Sequence, residues 1–247
     1  GTAAMNEYEV DNMDVVSVPS NQYDRVHSDP ELSQQISPTF TLGTEFYAFN
    51  TQLAPTNDVR VRRALSMAID RAALIENVTK SGTEAHWFVH PGVAGAPKPE
   101  THPDLGIQYD PEGAKALMDE YLAETGQNAA DLAIVLMFNT SEGHRRNAEA
   151  IQQMWAETLG VTVTLVNQEF AVFRATRREG AEHIYRGSWV QDYPDANNFL
   201  FEVFSSGGAY QDVVNWPFDE KVGTSYNNPL YDEFVSLLEQ AAVETDP

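Results

Sequence analysis

This 247-residue sequence predicts an α/β fold, and three observations carry the prediction. Residues 132–138 form a continuous apolar run, the pattern of a strand covered on both faces. A helical stripe of Ala148, Ile151, Trp155 and Leu159 follows, stops at Gly160, and gives way to a strand-like alternation over residues 161–166. Residues 168–178 then fit a short helix and residues 184–189 a third strand, so strands and helices succeed one another as they do in layered α/β domains.

The remaining elements follow in order. Residues 8–19 alternate acidic residues with Met13, Val15, Val16 and Val18, which reads as a helix end followed by a strand. Residues 20–38 are polar and interrupted by Asp29-Pro30 and Ser37-Pro38, so a domain boundary is placed near residue 38. Residues 39–50 have strand composition. Asn57 or Asp58 caps the next helix, whose buried face is Val61, Ala64, Leu65, Ala68, Ala72 and Ile75, flanked by Arg60, Arg62, Arg63 and Arg71 and broken near Asp70. Residues 82–109 are too rich in proline and glycine for a regular element and read as a long surface excursion. Asp110-Pro111 opens a helix with Ala114, Leu117, Met118, Tyr121 and Leu122 inward and Gly126 as its stop. A final helix carries Leu230, Phe234, Leu237, Leu238 and Ala241.

Composition narrows the function. With 37 acidic against 15 basic residues, the formal charge of −22 argues against nucleic acid and anionic membrane surfaces as partners. Cysteine is absent, which removes disulfides, thiolate catalysis and cysteine zinc sites. His86, His90 and His102 match no zinc spacing, so neither metal nor cofactor is expected. No apolar run approaches the ~20 residues of a membrane span, and the first residues lack a basic leader or an apolar signal core, so a targeting segment is expected outside this chain. Nucleophile elbows, phosphate loops, dinucleotide fingerprints and His-Glu-x-x-His are all missing.

The chemically loaded stretch runs from Arg177 through Arg186, Trp189 and Asp192 to Phe201. It offers cations, an aromatic wall and an anion around a short strand that ends at Tyr193-Pro194, a set suited to a small zwitterion. The plain reading of the same residues is a solvated Arg186–Asp192 pair and a core tryptophan.

Arg-x-x-Trp-x-x-Asp-Tyr after an Arg-x-x-Gly turn resembles the second-lobe segment of the oligopeptide-binding proteins of peptide ABC importers, the family 5 extracellular solute-binding proteins. Asn-Asp-Val-Arg-Val-Arg-x-Ala-Leu-x-x-Ala-Ile-Asp-Arg from Asn57 and Tyr-Asp-Pro-Glu-x-Ala-Lys from Tyr109 resemble the same family. The resemblance implies a periplasmic-binding-protein-like lobe of type II (cluster C), a mixed sheet flanked by helices. It covers nearly the whole chain but part of the family's length. Residues 1–38 would be a remnant of the first lobe and 39–247 the second, C-terminal lobe, incomplete at its C-terminal end. It implies a non-enzymatic, monomeric, extracytoplasmic protein, lipid-anchored through a missing N-terminal segment, that delivers peptides to the permease subunits of an ABC transporter. Without the facing lobe, binding is expected to be weak.

Carried over residue by residue, Asp192 receives the ligand's α-ammonium group, Arg186 and His144 lie towards its carboxylate end, and Arg177 is a nearby arginine of the same cleft. Trp189 walls a side-chain pocket, while Gly187, Ser188, Trp189, Val190 and Gln191 pair with the ligand main chain, which leaves side-chain identity open. Val190 and Gln191 replace small residues common in the family, Asp195 adds a second carboxylate, and residues 205–226 form a Gly-rich extension. These departures keep an oligosaccharide or a nickel chelate open as ligand. More remote is a glycosidase built on Asp192 and Asp195, which the capping habit of aspartate beside a proline turn disfavours. A structural domain without ligand is a further alternative.

Overall fold

A computed structural model describes residues 1–39, 41–98, 100–205, 208–210, 218–219, 224–225 and 229–244. Its centre is a four-stranded mixed sheet in the order β1-β4-β2-β3, formed by β1 (Gly43–Phe49), β2 (Ile134–Asn139), β3 (Val163–Gln168) and β4 (Ile184–Val190). Strands β3, β2 and β4 are parallel, so each link between them must cross over, and the crossovers are the helices α6 (Glu142–Leu159) and α7 (Phe170–Glu179). β1 closes the other edge antiparallel to β4, with Gly43 opposite Val190 and Phe49 opposite Ile184.

Both faces of the sheet are covered. On one, Ile134, Leu136, Phe138 and Ile184 pack with α3 (Val59–Met67), α5 (Pro111–Thr125) and α6 into the main core. The fully buried Trp155 of α6 donates its indole N–H to the Leu65 carbonyl at 2.7 Å, tying α6 to α3. On the other face, Met137 and Tyr185 meet Phe173 of α7 and Ala48 of β1. This two-sided burial is what the continuous apolar run of β2 announces.

The helix ends follow local chemistry. Asp58 accepts the backbone N–H of Arg60 at 2.8 Å and caps α3, while Arg60 bonds back to Asp58 and reaches Glu120 and Glu124 on α5. Asp110 caps α5 through the Gly113 N–H at 2.8 Å. Gly126 and Gly160 end α5 and α6 with φ near +69°, a conformation that only glycine adopts without strain.

Three expectations change. The strand expected within residues 8–19 is absent, and Val15 is 81% exposed. Alternation cannot hold a strand whose N–H and C=O groups find no ladder among the described residues. The chain instead forms α1 (Thr2–Glu9) and, within the polar stretch that follows, the helical turns Ser20–Gln22, α2 (Tyr23–Ser28) and Leu32–Gln35, with Met5 and Val26 buried. Ala72 is exposed and Ile75 half-buried, not core. The cause is the break after Met67: Asp70 caps a new helix, α4 (Arg71–Leu74), which restarts the phase of the apolar stripe. Residues 82–109 carry no helix or strand among those described, and Val89, Val93 and Ala96 of this excursion bury themselves against Phe199 of α8 (Ala196–Phe204). Beyond α8 lie the short pair β5 (Phe218–Asp219) and β6 (Thr224–Ser225) and the helix α9 (Pro229–Val243), in which Leu238 is buried and Leu237 exposed. Most of the Gly-rich extension of residues 205–226, and the side chain of Leu230, lie outside what is described.

Candidate ligand-binding site

The carboxyl ends of β2, β3 and β4 open on one edge of the sheet, at Asn139, Gln168 and Val190, where open α/β sheets place ligands. Every candidate named from the sequence except Arg177 lies at or near that edge. β4 pairs with β2 only at Ile184 and Tyr185, whereas its pairing with β1 runs the full strand. Residues 186–190 therefore have one edge beyond the reach of β2. Along it, the hydroxyl of Tyr210 lies 3.2 Å from both the backbone N and the carbonyl O of Ser188, accepting from the first and donating to the second. Gly187 permits this closeness: a Cβ there would lie 2.6 Å from the Phe46 ring and 3.0 Å from the Tyr210 ring.

Alternation along β4 sends Arg186 and Trp189 to opposite faces of the sheet. A ligand touching both must run along the strand edge instead of lying on one face. Arg186 points to the side of Tyr47 and Glu45, and its guanidinium bonds the Glu45 carboxylate at 3.0 Å. Asn147 of α6 donates to the other Glu45 oxygen at 3.4 Å. Burial, reinforced by the Glu45 charge and opposed by Arg186, raises the Tyr47 phenol well above its ordinary range, so Tyr47 is neutral at physiological pH. Arg177 is 5% exposed, donates to the Ala209 carbonyl at 2.9 Å and stacks 4.1 Å from the Tyr210 ring centroid. It braces the segment that covers Ser188.

Asp192 is exposed, and among the described residues its carboxylate has no hydrogen-bond or ionic partner. Its backbone N–H donates to the side-chain oxygen of Asn198 at 3.0 Å, and the Trp189 indole donates to the same oxygen at 3.0 Å. Val190 is 53% exposed, and the Gln191 N–H donates to the Leu42 carbonyl at 3.0 Å. Asp195 is committed elsewhere: its carboxylate accepts the Asn197 N–H at 2.8 Å and caps α8. His144 sits in the first turn of α6 with Nδ1 3.1 Å from the Asn139 carbonyl, so a neutral ring carries its proton on Nδ1 and leaves Nε2 as acceptor. Beside it a cavity of about 500 Å³ is lined by Asn21, Phe138, Thr140, Ser141, Arg145 and Arg146, among others, and Arg146 also donates to the Ser20 hydroxyl.

The sequence reading missed Glu45, Tyr210 and Asn198. Glu45 and Tyr210 reach β4 through strand register and tertiary packing, which no local pattern encodes. Asn198 left little signal, being one of two adjacent asparagines, with Asn197, ahead of the apolar run Phe199-Leu200-Phe201.

The model of the bacterial extracellular solute-binding proteins, family 5 Middle, matches residues 1–211. The chain belongs to family 5 of the extracellular solute-binding proteins. Among its family 5 relatives, the periplasmic murein peptide-binding protein MppA of Escherichia coli is 35% identical over 244 residues, covering 98% of this chain and 42% of the relative. The periplasmic oligopeptide-binding protein OppA of Escherichia coli is 35% identical over 186 residues, covering 74% of this chain and 32% of that protein. Among solved structures, the Escherichia coli murein tripeptide-binding protein MppA superposes with a TM-score of 0.79 at 33% identity, over 99% of this chain and 45% of the other. The chain thus spans under half the length of these family 5 relatives. Its mixed sheet flanked by helices is the family's fold.

Proposed function

We propose that the protein carrying this chain is the substrate-binding component of an ABC importer, capturing oligopeptides outside the cytoplasm and delivering them to membrane permease subunits. It works as a monomer, in the periplasm or lipid-anchored at the cell surface. Residues 1–38 belong to its first lobe and residues 39–247 to its second. The relatives support this reading, being named for murein peptides and oligopeptides.

The observation that carries it is the Asp192 carboxylate, exposed just beyond the end of β4 and without a partner among the described residues, beside the Trp189 wall. A peptide's α-amino group has a pKa near ~8 and is mostly charged at neutral pH, so it gives Asp192 a charge-assisted partner. From there the ligand runs along the side of β4 that β2 leaves free, where Tyr210 must release the Ser188 backbone before the ligand main chain can pair with it, towards His144 and the cavity at the start of α6. At Arg186 a ligand carboxylate competes with Glu45, so that arginine contributes less than its charge alone would give.

Titration calorimetry on the full protein tests this, with a tripeptide and its N-acetylated form. Acetylation should weaken binding by about tenfold or more, and Asp192→Asn should erase the difference while leaving the melting temperature unchanged. Equal binding of the two forms, or a saccharide or metal chelate released from gently purified protein on denaturation, would overturn the peptide reading.

A further inference from the structure

We propose that Asn198 is the positioning residue of the amine site, fixing the Trp189 wall and the Asp192 turn relative to one another through a single oxygen. The proposal rests on the amine-binding reading of Asp192. Asn198 is 0% exposed, in the first turn of α8 just behind the Asp195 cap. Its Oδ1 accepts from the Trp189 indole N–H and from the Asp192 backbone N–H, each at 3.0 Å. An amide oxygen has two lone pairs, and both are used. Because both partners are donors, the orientation of the amide is decided by chemistry: its nitrogen cannot take that place. Its backbone N–H donates to the Asp195 carbonyl at 3.1 Å, which fixes the side chain's starting point.

The consequence is a coupling. The indole belongs to β4 and the Asp192 amide to the turn after it, yet neither can move without breaking a bond to the same buried atom. The distance between the aromatic wall and the backbone that carries the carboxylate is thereby held before any ligand arrives, which spares the site part of the ordering on binding. Serine is too short to reach both donors, and an apolar side chain leaves both unsatisfied.

The experiment compares wild type, Asn198→Leu and Asn198→Asp in the full protein. Leucine keeps the volume and removes the acceptor, while aspartate keeps both acceptor positions. Heteronuclear NMR hydrogen exchange reads the Trp189 indole and Asp192 amide protons, and calorimetry reads the preference for a free-amine over an N-acetylated tripeptide. In Asn198→Leu both protons should exchange about tenfold faster or more, and the amine preference should fall about tenfold. Asn198→Asp should retain joint protection and preference. It carries the test alone if the leucine variant does not fold, because protection kept with preference lost would overturn the role. A wild-type preference that survives Asn198→Leu overturns the positioning role alone. A wild type that does not distinguish the two peptides overturns the amine reading, and the positioning role with it.

Discussion

Trp155 and Trp189 each donate the indole N–H to an oxygen, and the two oxygens separate the region that builds the fold from the region that meets a ligand. Trp155 bonds a main-chain carbonyl, Leu65, inside the core of α3, α5 and α6. That acceptor is placed by helix geometry and survives nearly any change of side chain. Trp189 bonds a side chain, Asn198, at a half-buried strand end. Its one hydrogen bond therefore depends on one residue, which also holds the Asp192 turn. The main core is secured by backbone, and the site by a side chain whose replacement can reshape it without unfolding the sheet.

The largest effect that would break this contrast is on stability. Trp155→Ala should lower the unfolding free energy by about 3–5 kcal/mol, because it opens a cavity in the main core and leaves the Leu65 carbonyl unpaired. Denaturant titration reads this as a fall in the transition midpoint. Trp189→Ala should lose less stability while weakening peptide binding by about tenfold or more, since its half-buried ring packs against the smaller cluster of Val89, Val93, Ala96 and Phe199 and not among the main core helices. Equal loss of stability in the two variants would mean that the strand end is core too.

The same contrast governs what could be read from sequence. The stripe of Ala148, Ile151, Trp155 and Leu159 is fully visible as periodicity, and all four residues are buried. The cap at Asp110 is equally legible, because a cap is satisfied within three residues of chain, and the cap of α3 is legible to within one residue, Asn57 or Asp58, of which the structure uses Asp58. Arg186, by contrast, reads in sequence as a contact for a ligand carboxylate or as one half of a surface pair with Asp192. Its partner Glu45 lies 141 residues away and meets it only through the register of β1 on β4. Tyr210 reaches Ser188 across 22 residues for the same kind of reason. The missing strand near Val15 shows the opposite error, in which alternation was present and the partner ladder was not.

Smaller effects sharpen the comparison from the core side. Arg60 donates to the Asp58 side chain and, with the backbone N–H of Arg60 added, holds that carboxyl below the usual carboxylate range. A depressed folded-state pKa gives stability that is present above the unfolded value of ~3.9 and lost as pH falls through the lower folded value. Asp58→Ala should therefore cost about 1 kcal/mol at neutral pH, shrinking towards zero in strong acid, as thermal melts across that range would show. An equal penalty at all pH would mean that packing, and not charge, is what Asp58 supplies.

Lys115 and Asp119 form an ion pair at 3.0 Å on α5, with side chains 63% and 58% exposed. By distance it rivals the contacts of Arg60 to Glu120 and Glu124, made by an arginine whose side chain is only 19% exposed. Solvent screens the lysine pair, and two long side chains lose freedom to form it, so Lys115→Ala should change stability by no more than about 0.5 kcal/mol. Arg60→Ala should lose clearly more, because the guanidinium joins α3 to α5 and also holds the α3 cap. Melts of the two variants in low and high salt decide the point: a larger loss for Lys115→Ala that disappears in high salt would show that exposed charge contributes to this core as much as the Asp58–Arg60 cap does.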